Sequence, residues 1–248
     1  MKTVAAIAIV GTASLVASAD AGFLGFVASV RTVGANTVID VFAGVSNASD
    51  KFLNVYNTVS NGVFVQKAGL ATKTWKPDTA GFTSTRNTLD DSFMTAGTFS
   101  GGSYGGEYYA SANTNGDPNF TGNSWNATPA SAAATTIPVS AQYPTPTGGA
   151  GWYTGDPTSV DNVSESLLGM IGRQDLSGGA AATRGIWCAH FVVANAGGNI
   201  NFSAFTSIKD GVTGGTSQAQ SSGTFVIPAP GALALVGLAG FASRRRRA

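Results

Sequence analysis

The sequence predicts an all-β protein: a single antiparallel β-sandwich, jelly-roll-like, with long Gly/Asn/Thr-rich loops. Three observations predict it. Apolar residues alternate with period two in several runs. Clusters of Asn, Gly, Asp and Ser bound those runs, residue types that favour turns. Glycine is abundant, at 33 of 248 residues, and collects in the middle of the chain.

The elements follow in order. From Thr37 to Val45, the residues Ile39, Val41, Ala43 and Val45 fall on one face, with Asp40 and Gly44 on the other. Asn47-Ala48-Ser49-Asp50 is a run of turn formers, and Phe52 to Val59 follows with Leu53, Val55 and Val59 on one face. Two such runs about one turn predict a β-hairpin. Asn61-Gly62 marks a second tight turn before Val63-Phe64-Val65, the start of another strand.

The middle is looser. Residues 101–106 and 144–151 read as loop, and 111–160 is rich in Asn, Gly, Pro, Ser, Thr and Ala. Long loops inside a domain are uncommon unless functional. Ser164 to Ile171 reads as a short helix or an edge strand, and Gly169 and Gly172 disfavour the helix. Regular alternation returns from Ile186 to Val193, which places Trp187, Ala189, Phe191 and Val193 on one face. A turn at 196–200 leads into Asn201 to Ile208, alternating through Phe202, Ala204 and Thr206. No internal repeat is visible, which argues against propellers and solenoids.

Composition narrows the chemistry. Charged residues are 11% of the chain, against roughly a quarter in ordinary globular proteins. One His and one Cys leave His-rich metal sites, CxxC centres and intrachain disulfides without parts. Cys188 and His190 stand two apart, so a regular strand puts them on one face, yet two ligands do not fill a zinc site. A buried imidazole and a buried free thiol are the default. No G-x-S-x-G run accompanies His190. Glycoside hydrolysis needs two carboxylates, and Glu107 and Glu165 are the only glutamates, beside eleven aspartates.

Two weaker constellations stand out. Asn113, Asn115 and Asp117 place oxygen side chains at alternate positions around Gly116, a pattern that can wrap Ca²⁺. Pro118 and Ser124 occupy the positions where an EF-hand loop has Gly and Glu, so a plain Asx-rich turn competes with the metal reading. Aromatic residues, Tyr108, Trp125 and Trp152 foremost, lie in or beside the loop-rich middle, where exposed rings could stack on sugars. The competing reading has them packing the ends of the core.

Both ends read as addresses. Lys2, the uncharged apolar run from Val4 to Val16, and the small residues Ala17 and Ala19 follow the order of a secretory signal peptide, residues 1–19. At the other end, Pro228, Ala229 and Pro230 precede an apolar run to Ala242, and Arg244, Arg245, Arg246 and Arg247 follow. Four arginines are held on the cytoplasmic side of a membrane. That order predicts a short transmembrane helix with residues 20–227 outside the membrane. Residues 20–228 keep nine basic and thirteen acidic side chains, a net charge near −4, so no basic patch suits nucleic acid.

Residues 228–248 resemble the PEP-CTERM sorting signal of Gram-negative bacteria that make exopolysaccharide: a Pro-Glu-Pro-like motif, a short transmembrane helix and an arginine cluster. Ala229 stands where that family usually has Glu. The resemblance implies signal peptidase and an exosortase-like sorting enzyme as processing partners, with the inner membrane as a transient or retained anchor. It implies an exported, non-enzymatic cell-surface or extracellular-matrix protein associated with exopolysaccharide. The alternative expectation is a secreted module that binds or acts on carbohydrate. No cofactor is expected beyond the Ca²⁺ considered above.

Overall fold

The computed structural model describes residues 22–66, 75, 77, 86–97, 119–120, 150–158, 162–176, 182–195 and 198–228. The described residues form strands and turns without a helix. In chain order the strands are β1 (Phe23–Val33), β2 (Asn36–Val45), β3 (Lys51–Ser60), β4 (Phe93–Met94), β5 (Asn119–Phe120) and β6 (Ala150–Tyr153). There follow β7 (Glu165–Ser166), β8 (Arg173–Asp175), β9 (Arg184–Ala194), β10 (Ile200–Lys209) and β11 (Thr216–Phe225).

They build two antiparallel sheets. Sheet A runs β4-β9-β2-β1-β8, with β7 also pairing β9; sheet B runs β11-β10-β3-β6-β5. The shared core takes Phe26, Ile39, Val41, Cys188, Ala189 and Phe191 from A, and Phe52, Val55, Trp152, Phe202, Ala204 and Phe225 from B. Edge-to-face and tilted ring contacts, such as Phe26–Phe202 at 5.4 Å, cross between the sheets. Such pairs add about 0.5–1.5 kcal/mol beyond the area they bury.

The hairpin expected between residues 37–45 and 52–59 is absent. β2 pairs with β1 and β9 in sheet A, whereas β3 pairs with β10 and β6 in sheet B. The Asn47–Asp50 turn is a corner between sheets. Asp50 is buried there: its Oδ2 accepts the Asn47 N–H at 2.9 Å, and its Oδ1 accepts the Gly211 N–H at 3.1 Å. That second bond ties the corner to the start of the β10–β11 turn, and so to sheet B. The hairpin that does form in this part of the chain joins β1 to β2 through Gly34, whose φ of +60° suits glycine.

Bulges change which residues share a face. In the β2–β9 pair, Val41 lies opposite Ala189 while Phe42 lies opposite Trp187, so Cys188 is the extra residue. Trp187 is thereby turned away from Ala189, Phe191 and Val193, against the simple alternation. Cys188 enters the core between the sheets while His190 faces the opposite side, so the two do not share a face. In β3 the buried positions are Phe52, Val55 and Thr58, spaced by three. The pairing shifts register on both of its flanks and Asn57 takes a φ of +49°. Leu53 is consequently only half-buried, and Val59 is 58% exposed.

Elsewhere the alternation holds. Phe202, Ala204 and Thr206 of β10 are buried as expected. Residues 165–166 take the edge-strand option, followed by a turn in which Gly172 has a φ of +62° and passes so close to the Val30 carbonyl that a Cβ would lie 1.9 Å from it. Val63 to Val65 forms no regular strand, although the Val65 N–H bonds the Val192 carbonyl at 2.7 Å.

Candidate functional site

Both sheets carry aromatic residues on the side away from the shared core, and the two sides are treated differently. On sheet A, Phe42, Phe93 and Trp187 form a second small core with Val27, Leu167 and Ala182. The Arg86 guanidinium lies 4.8 Å from the ring centroids of both Phe42 and Trp187, and pairs with both carboxylate oxygens of Glu165. Cation–π contacts of this kind gain strength as water is excluded. Residues 86–97 and β7 thus close this side.

Beneath that cover sits His190, fully buried and stacked on Phe93 at 4.8 Å. Its Nδ1 lies 2.7 Å from Asp40 Oδ1 and its Nε2 lies 2.9 Å from the Thr88 carbonyl. Both ring nitrogens thus face oxygen atoms, one of a side chain and one of the backbone. Asp40, also buried, accepts a second bond from Arg31 at 2.5 Å, and that guanidinium also donates to the Arg86 carbonyl. The geometry is that of a cross-link fixing β1, β2, β9 and residues 86–88 together. An Asp–His pair in a hydrolase aims its second nitrogen at a nucleophile; here that nitrogen meets a backbone carbonyl. Glu165 is likewise committed to Arg86.

Cys188 lies in the other core, donating its S–H to the Val41 carbonyl at 3.3 Å. Burial pushes its thiol far above the ordinary range, against a smaller opposing pull from the Ala43 backbone. His190 and Cys188 are therefore a buried imidazole and a buried thiol. No group of three or more His, Cys, Asp and Glu residues is placed to hold a metal among the described residues.

Sheet B presents the opposite case, and its outer side is the candidate site. Core-facing Val55, Ala204, Thr206 and Trp152 alternate with residues pointing out. Tyr56 of β3 lies directly across from Phe205 of β10, and the two rings stack at 5.3 Å with a 23° interplanar angle. Each covers one face of the other, so both are half-buried. Tyr153 of β6, 41% exposed, lies opposite Asn54, two residues from Tyr56 along β3. Neighbouring residues on one face are about 5–8 Å apart, so three rings occupy one surface. Around them stand amides and hydroxyls: Gln218 accepts from the Tyr56 hydroxyl at 3.4 Å, and Gln220 donates to Ser203 at 3.1 Å. These polar tips are exposed, and the ring faces are not sealed by any described segment.

The expected aromatic set is thus partly replaced. Trp152 is fully buried, its indole N–H donating to the Thr95 carbonyl at 3.2 Å. It packs the core, and its strand neighbour Tyr153 takes the open side because side chains alternate across a strand. Tyr56 and Phe205 lie outside the aromatic set that the sequence suggests. The available signal was phase: Phe205 interrupts the polar side of the Phe202, Ala204, Thr206 alternation. Tyr108, Trp125 and Glu107 lie outside the described residues, as do Asn113, Asn115 and Asp117. So do Ala17 and Ala19, and Ala229, Pro230 and Arg244 to Arg247; Pro228 is half-buried at the end of the described body. No helix among the described residues is long and apolar enough to cross a membrane.

No protein-family model matches the chain, and neither the curated proteins nor the solved structures yield a match.

Proposed function

We propose that this is an exported cell-surface or extracellular-matrix protein, non-enzymatic, that holds polysaccharide against the outer face of sheet B. The carrying observation is the stacked, open Tyr56–Phe205 pair beside Tyr153, set among amide and hydroxyl side chains. Sugar rings present C–H groups on one face and hydroxyls around the rim. Aromatic faces carry negative electrostatic potential and attract such C–H groups, while Gln and Ser tips can bond the hydroxyls. An open sheet face suits an extended chain better than a small ligand, which wants a concave pocket.

The two terminal addresses support export. A signal-peptide order at residues 1–19 and a PEP-CTERM-like tail at 228–248 would deliver residues 20–227 to the outside, through signal peptidase, an exosortase-like enzyme and the inner membrane. The net charge near −4 of the body sits well with that destination and poorly with nucleic acid.

The test is a titration of the full chain with exopolysaccharide from the producing strain, followed by intrinsic tyrosine and tryptophan fluorescence. Saturable binding that Tyr56→Ala with Phe205→Ala removes is the expected result. Absence of binding, or binding unchanged in the double variant, overturns the assignment of this face. A chelator arm separates Asn113, Asn115 and Asp117 from it: Ca²⁺-dependent binding would bring that segment into the site.

A further inference from the structure

The four long-sheet edges of this protein are finished unequally. The free side of β9 is covered piece by piece. Glu165–Ser166 pairs with residues 184–185, and the Gly97 and Thr95 N–H groups bond the carbonyls of Trp187 and Cys188. Phe93–Met94 pairs with residues 189–190, while Val65 and Ser92 bond Val192. The free side of β1 is covered by β8, extended by the Gly172 and Leu176 backbone bonds to Val30 and Phe26. β6 is flanked by the two-residue β5. Short, interrupted edges of this kind are how natural sheets avoid pairing with other chains.

β11 is covered on its core side, where Ser221 Oγ accepts the Phe26 N–H at 3.2 Å and Gly223 lies against the Leu176 backbone, but among the described residues its outer edge has none of these devices. It pairs with β10 over all ten residues from Thr216 to Phe225 without a bulge. Its sequence, TSQAQSSGTF, holds no proline and no charge, and no charged residue occurs anywhere in 211–243. Every second residue of an edge strand turns its N–H and C=O away from the sheet. Among the described residues, nothing bonds those groups between Thr216 and Thr224. The contrast begins one residue past the strand, where the Gln174 side chain bonds both the N–H and the C=O of Val226 at 2.8 Å.

We propose that β11 is a self-association edge, pairing antiparallel with β11 of a second copy of this chain. A second copy is the occupant because the edge is uncharged, so like meets like without repulsion, and because an antiparallel pair of identical strands is self-complementary about a two-fold axis. Ten residues span about 34 Å of ladder. An edge contact of that length is smaller than a standard stable interface, so the dimer forms in a concentration-dependent way. The two-fold axis of an antiparallel strand pair stands perpendicular to the sheet. Both outer faces of sheet B therefore point the same way, and the two copies of β10 lie three strand spacings, about 14 Å, apart. The dimer itself does not depend on the polysaccharide reading; only its consequence, two aligned aromatic faces on one continuous sheet, rests on that reading.

The experiment is sedimentation velocity on the full chain in mild detergent over a wide concentration range, beside the Ser222→Lys, Thr224→Lys double variant. Both side chains are exposed, so the variant keeps its fold, which an unchanged melting temperature verifies. The expected result is a reversible dimer whose dissociation constant rises by about ten-fold or more in the variant, as lysines at an edge oppose pairing. A second reading comes from single cysteines placed at Gln218, Gln220 or Ser222, since the native thiol is buried. One position, or two neighbouring ones, should form an intermolecular disulfide far faster than the rest. A chain that stays monomeric at every concentration overturns the proposal. So does a dimer indifferent to both lysines, which would locate the contact in the apolar termini. Loss of the dimer with retained polysaccharide binding leaves the face assignment intact, and the reverse outcome leaves the edge assignment intact.

Discussion

The outer sides of the two sheets carry similar residue types and end in opposite states. On sheet A, Phe42, Phe93, Trp187 and the Arg31–Asp40–His190 cluster are sealed beneath residues 86–97 and β7. On sheet B, Tyr56, Phe205 and Tyr153 stay at the surface. The difference teaches how to read polar groups here. The Asp–His pair, the arrangement with the strongest catalytic look, is buried with both ring nitrogens engaged, and it joins four segments. The plain sheet face keeps ring surface and amide tips exposed among the described residues. Recognition needs what is left unused.

Breaking the closed side should produce the largest effect. Asp40→Ala removes the acceptor shared by Arg31 and His190 and leaves their donors without it inside the fold; the expected loss is about 3 kcal/mol, read by denaturant unfolding. A loss below 1 kcal/mol would mean that the cluster is not a structural cross-link. On the open side, Tyr56→Ala with Phe205→Ala should lower stability by about 2 kcal/mol, the stacking plus the ring area that is half-buried. Polysaccharide binding should disappear in the same variant, so stability and binding separate on sheet B where they cannot on sheet A.

Two smaller effects sharpen the contrast. Native Cys188 should resist alkylation at neutral pH, because burial both hides the thiol and raises its pKa; labelling should appear only with the unfolding transition. Rapid labelling of the folded protein would show that the core between the sheets opens. At the β10–β11 turn, the N–H groups of Thr213 and Val212 hold the Asp210 carboxylate below its ordinary pKa. A depressed folded-state value means the contribution is present above the ordinary carboxylate pKa and fades as pH falls through the lowered one. Asp210→Asn should therefore reduce the acid sensitivity of the melting temperature, and an unchanged pH profile would exclude this turn as a source of it.

The all-β class and much of the core were legible in the sequence, because Phe202, Ala204 and Phe191 sit in runs of period two. What period two could not show was where the period breaks. The extra residue at Cys188 moved Trp187 to the other side of sheet A, and the register shifts along β3 buried Phe52 and Thr58 with Val55 while leaving Val59 exposed. Bulges leave no compositional trace, so faces assigned by counting fail beyond them. β1 escaped notice since FLGFVASVRTV is nearly continuously apolar in its first half, and β11 since TSQAQSSGTF hardly alternates at all. The turn formers before Asp50 serve a corner as well as a hairpin, so sequence predicts the wrong one; the long-range bond to Gly211 distinguishes them. Of the candidate site, Tyr153 is the one ring that the sequence offers, as a member of the aromatic set in and beside the loop-rich middle.

The most direct test of the contrast is hydroxyl-radical footprinting of the full chain with and without polysaccharide. Oxidation of Tyr56, Phe205 and Tyr153 should fall on addition of polysaccharide, while exposed Leu168 and Ile171, beside sheet A, remain as reactive as before. Protection at Leu168 and Ile171 with none at the three rings would place recognition on the wrong sheet and contradict the account.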